Sequence, residues 1–137
     1  MPPTVASIGL SDDAFLSAFH HCELPLSMFR HGDHLRFAWL TLHRHEFDEA
    51  LQIVREGILR FATQYKVAHI FHETITAAWV HLLASHQEPT FSAFLAKHQG
   101  RLNMELLHRF WTPEVLDSPD AREHWLPPDR ASLPDRV

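Results

Sequence analysis

Two short stretches carry the residue types that do chemistry. Phe29-Arg30-His31-Gly32-Asp33-His34-Leu35 sets two imidazoles three positions apart with a carboxylate between them. Phe71-His72-Glu73-Thr74-Ile75-Thr76 adds a third imidazole, a second carboxylate and two hydroxyls. Both run into apolar sequence at helical spacing, Phe37-Ala38-Trp39-Leu40 and Ala77-Ala78-Trp79-Val80. Positions i and i+3 share a helix face, so His31 and His34 can both reach one ion, and His72 from a facing helix would make three nitrogen ligands. Three imidazoles with positions open to water suit a divalent transition metal: zinc, iron, copper or nickel. Glu73 then serves as general base or extra ligand, and Asp33 orients an imidazole or moves a proton. Thr76, Trp39 and Trp79 are the ligand-contacting candidates, although both tryptophans also suit a core.

The pattern is not the zinc-protease H-E-x-x-H, because no histidine stands at position 76. A purely structural account also exists. His31 and Asp33 can cap a helix, and carboxylates suit the first helical turn without any catalytic role. His20, His21, His43, His45, His86, His98 and His124 fall at helix ends or in polar surroundings and read as structural or solvated.

The elements that would position these residues are helices. Ser11 caps the first, with Phe15, Ala18, Phe19 and Cys22 on its apolar face. The second starts near Ser27 and runs to about His45. A third opens at Asp48 and Glu49 with the cleanest 3-and-4 periodicity, and Gly57 within it marks close helix packing. The fourth spans about 71–86. Glu88-Pro89 breaks the chain, Thr90 caps a short helix, and a sixth is expected over 101–112. No strand alternation or internal repeat is present. The expectation is an all-α fold: a compact bundle of five or six helices in a single domain over 1–137. Residues 1–10 form an irregular arm. Residues 113–137 hold five of the nine prolines and form an extended tail that wraps the bundle to bury Trp125 and Leu126.

Bulk properties narrow the function classes. With 137 residues, 45% hydrophobic and 21% charged, the chain is globular rather than disordered. A net charge of -5 with scattered basic residues offers no field for nucleic acid or an anionic membrane. One cysteine excludes an internal disulfide and a multi-thiolate zinc site. No apolar run nears the roughly 20 residues that span a bilayer, and the N-terminus has no signal-peptide pattern, so a cytoplasmic setting is expected. Thirteen histidines outnumber the twelve lysines and arginines together.

The motif Phe-x-His-x-Asp-His-Leu with Ala-Trp following, then aromatic-His-Glu-Thr-Ile-Thr, resembles a family of small, uncharacterised bacterial helical proteins. Leu106-Leu107, Phe110-Trp111, Ser118-Pro119-Asp120-Ala121-Arg122 and Pro128-Asp129 before Leu133-Pro134 extend the likeness over most of residues 29–134. The resemblance implies that His31, Asp33, His34, His72, Glu73 and Thr76 occupy motif positions, and it leaves the reaction open. The expected function is a metal-dependent enzyme, of hydrolase or oxygenase type, or a small-molecule binding protein. Its site would lie between the second and fourth helices, which must then run parallel or cross near their N-termini. The alternative is a metal-free helical module that binds a small ligand or a partner protein through the same cluster.

Overall fold

A computed structural model describes residues 10–25 and 30–137. The arm before residue 10, and Phe29 at the head of the first motif, lie outside them. The fold is all-α: eight α-helices and two short 3-10 turns, with no strand among the described residues. In chain order the helices are α1 Asp12–His20, α2 His31–Arg44, α3 Phe47–Gln64, α4 Glu73–Leu83, α5 Phe91–His98, α6 Met104–Leu107, α7 Pro113–Leu116 and α8 Pro119–Glu123. The chain divides into two compact units, Met1–Phe71 and His72–Val137. No helix among the described residues is long and apolar enough to cross a membrane.

The first unit is built from α1, α2 and α3. Ser11 caps α1 by accepting from the Ala14 amide at 3.1 Å, as its sequence position predicts. Phe15, Phe19 and Phe37 are fully buried; the Phe19 ring lies 4.1 Å from Phe37 and 5.5 Å from Phe61. This aromatic centre explains Gly57. A β-carbon there would sit 2.9 Å from the Phe37 ring and 3.0 Å from that of Phe19, so only a bare backbone lets α3 approach so closely. Arg36 ties α2 to α1, with one nitrogen 2.9 Å from Asp12 Oδ1 and its guanidinium 4.4 Å above the Phe15 ring. Helices α1 and α3 end alike. Cys22 (φ 54°) and Lys66 (φ 60°) turn left-handed, and the next amides, of Glu23 and Val67, bond back to Ala18 and Ala62 at 2.8 Å.

In the second unit α4 packs chiefly against α8. Its core holds Ala78, Val80, Phe94, Leu107, Trp111, Leu116 and Ala121, all with almost no exposure. The helix expected over 101–112 is a 3-10 turn at Gln99–Arg101 followed by the single-turn α6. Asn103 is the cause. It is extended, and its side chain accepts from the Glu105 amide at 3.0 Å, restarting the helix. Thr112, forced out of helical conformation by the following Pro113, then caps α7.

The tail from 113 closes over its own unit through polar clasps. The Thr74 hydroxyl, fully buried, donates to the His124 carbonyl at 2.7 Å and accepts from the Leu126 amide at 3.1 Å. Trp111 Nε1 donates to the Leu126 carbonyl at 2.9 Å. Asp129 accepts from both the amide and the hydroxyl of Thr112 at 2.8 Å. Trp125 does not vanish into a core as expected. It stays 37% exposed, stacked on His81 at 4.9 Å and edge-on to Trp111 at 5.7 Å.

Candidate metal centre

In the first unit His31 is the first residue of α2; the start expected near Ser27 lies outside the described residues. Arg30 before it is extended, and Asp33 Oδ2 reaches back to accept the Arg30 amide at 2.9 Å. Asp33 thus occupies the third helical position and satisfies an end amide, a structural task. His31 is exposed and His34 half-buried. Burial, assisted by the charge of His31 and opposed by Asp33, pushes the His34 pKa down to about 4. His34 is therefore a neutral imidazole at pH 7. Trp39 is core, 2% exposed, and lies tilted at 4.6 Å against the His43 ring, whose Nδ1 bonds the Trp39 carbonyl at 2.8 Å.

The depressed pKa of His34 carries a stability consequence. A group whose folded pKa lies below its unfolded value stabilises the fold above the unfolded pKa and ceases to do so as pH falls through the folded one. The window here is about 6.5 to 4. Chemical denaturation at pH 7 and pH 4.5 should show His34→Gln losing about 2 kcal/mol less than wild type over that interval. Equal losses would mean that His34 titrates normally.

In the second unit His72 caps α4. Its Nδ1 accepts from the Ile75 amide at 3.0 Å and its Nε2 donates to the Leu116 carbonyl at 2.8 Å. Both ring nitrogens are thus engaged in a neutral imidazole with its proton on Nε2. Burial, the largest influence, holds its pKa below the ordinary value. Coordination would require giving up one of these bonds. Glu73 and Thr76 are half-buried in the first turn of α4, and Trp79 is core at 7% exposure.

The ligand-like group that the second unit assembles lies at the other end of α4. His86, Glu88 and His98 bring one ligand atom each to within 4.8 Å of one another. His98 Nε2 is 3.0 Å from Glu88 Oε1, and His86 Nδ1 is 3.6 Å from Glu88 Oε2. The His86 and His98 rings meet edge to face at 4.5 Å, and Phe94, 1% exposed, contacts both at 5.0 and 5.2 Å. The Glu88 side chain is only 14% exposed, and its Oε2 is buried with no hydrogen-bond partner. A buried carboxylate oxygen without a donor is costly. Burial alone would raise the Glu88 pKa, but its own amide, the His98 bond and the charges of His86 and His98 outweigh that and hold it low. The His86 pKa is lowered, by burial first, against the pull of Glu88. A neutral imidazole and an ionised carboxylate are the forms that bind metal.

Local structure explains the placement. The His86 amide bonds the Leu83 carbonyl just past the end of α4, and His98 is the last residue of α5. Both ligand histidines thus stand at or just past a helix C-terminus, where the helix dipole favours positive charge. Pro89 biases Glu88 toward an extended conformation, in which residues two apart point the same way. Two imidazoles and a carboxylate are the ligand set of catalytic zinc sites and of non-haem iron sites, with further positions left open. A tetrahedral ion holds its ligand atoms about 3.3 Å apart, so small side-chain rotations would close the set.

Among the described residues of the first unit, no three such side chains bring ligand atoms equally close. His86 and His98 look like ordinary helix-end histidines in the sequence, and Glu88 like half of a chain break. The signal available was His-x-Glu-Pro, a spacing that points two ligands to one side. No protein-family profile, curated protein or solved structure matches this chain.

Proposed function

We propose that the chain is a divalent transition-metal protein whose ion is held by His86, Glu88 and His98. The open coordination positions take water or a small-molecule ligand. The observation that carries this reading is the buried Glu88 Oε2, which accepts no hydrogen bond and has the His86 ring 3.6 Å away, while Oε1 meets His98 at 3.0 Å. A metal would supply the partner that Oε2 lacks; Lys97, largely exposed, approaches the other oxygen, Oε1, only to 3.9 Å. In an enzymatic version, a metal held by His86, Glu88 and His98 would supply the Lewis acidity used in metal-assisted hydrolysis. The ligand set also suits iron and an oxygenase. The competing ligand set is His31, His34 and His72. The neutral imidazole of His34 favours it, and the engaged nitrogens of His72 weigh against it. A cytoplasmic setting fits the single cysteine.

The test is elemental analysis and zinc titration calorimetry on full-length protein made without a histidine tag. One equivalent per chain is the expected result. Absence of both co-purified metal and binding heat would replace this reading with the metal-free module.

A further inference from the structure

Helix α5 has eight residues, well below the roughly 12 to 15 at which isolated helices become stable in water. Its N-terminus is capped from within, by Thr90 accepting the Ala93 amide at 3.1 Å. Its persistence therefore depends on ties to the rest of the second unit. The ties of Phe94, Lys97 and His98 to the connecting loop land on His86 and Glu88. Phe94 lies against the His86 ring, Lys97 and His98 meet the Glu88 carboxylate, and the two imidazoles face each other. One hydrogen bond of 3.0 Å joins His98 to that loop, and the 3.6 Å approach of His86 to Glu88 is too long to be a second.

We infer that metal binding locks α5 to the end of α4, so that the centre is a metal-operated clamp on residues 84–101. This rests on the metal reading above and goes beyond it. An ion held by His86, Glu88 and His98 replaces a single hydrogen bond with three coordinate bonds from two separate segments. The segment gains the free energy by which metal prefers the docked arrangement over the undocked one.

Hydrogen–deuterium exchange on the full-length, untagged protein tests the clamp, with chelator-treated protein compared to protein holding one equivalent of zinc. Calorimetry on the same samples reports binding independently. Exchange across 84–101 should slow at least tenfold on zinc addition, with segments 10–25 and 30–71 unchanged. In Glu88→Gln, checked for native helicity by circular dichroism, zinc should produce no slowing. Bound zinc without slowing in 91–98 would overturn the clamp and leave the metal reading standing. Slowing spread evenly over both units would also overturn it. Failure to bind zinc would overturn both.

Discussion

Truncation after Thr112 is expected to unfold the second unit. The segment removed contains Leu116 and Ala121, both fully buried, and burial of a leucine alone is worth about 2 to 3 kcal/mol. Its backbone is equally involved. The Leu126 carbonyl accepts from Trp111, the His124 carbonyl accepts from Thr74, and the Leu116 carbonyl accepts from His72. Removing these acceptors strands polar groups on side chains built for the interior, at about 1 to 3 kcal/mol for each that stays buried. The total is comparable to the whole stability of a domain, about 5 to 15 kcal/mol. Residues 1–112 should therefore lose the cooperative melting of the second unit and expose the apolar face of α4, giving dye binding and poor solubility. Truncated protein that melts like the full chain would show the tail to be a linker.

A milder variant separates the clasp from the mass of the tail. In Thr74→Val the side-chain volume is nearly kept and both hydrogen bonds are lost, so it isolates the polar contribution. That this residue matters was hidden in the sequence, where Thr74 sits beside Glu73 and reads as part of a site. Only its partners 50 and 52 residues away, His124 and Leu126, show that it fastens the tail.

The helices themselves were legible because their signals are local. Ser11 caps α1, the 3-and-4 spacing of α3 gives its buried face, and Gly57 marks the approach of Phe37 and Phe19. The stretch 101–112 failed because its apolar spacing is helical while Asn103 offers its backbone a competing side-chain bond. The candidate centre was illegible for another reason. His86, Glu88 and His98 come from a helix end, a loop and a second helix end. The His-x-Glu-Pro spacing sets two of them on one side, but bringing His98 to them depends on how the chain turns after Pro89, which no residue spacing encodes. His72 shows the converse. Its position at the head of an apolar helix suits a metal ligand and an N-cap equally, and the lone pair on Nδ1 is spent on the Ile75 amide.

Substitution of the ligands themselves should give the largest change in metal affinity. Glu88→Gln keeps shape and removes the one anionic donor, and His98→Ala removes a nitrogen donor. Loss of groups that merely orient a metal ligand weakens binding about 10- to 100-fold, so loss of a donor from a three-ligand set should cost about 100-fold or more. The effect should appear as zinc affinity lost without loss of helicity, since His86, Glu88 and His98 lie at helix ends and in a loop rather than in the apolar core. The competing set predicts the opposite pattern. If His31, His34 and His72 held the ion, His31→Ala with His34→Gln would abolish binding and Glu88→Gln would leave it unchanged. His72 alone is a poor discriminator, because its substitution also removes the cap of α4 and would lower stability by about 1 kcal/mol whatever the metal does. Zinc calorimetry on Glu88→Gln and on the His31/His34 double variant therefore decides between the two sets, with folding checked by circular dichroism. Undiminished affinity in Glu88→Gln would remove that carboxylate from the centre and with it the reason for placing the ion at this end of α4.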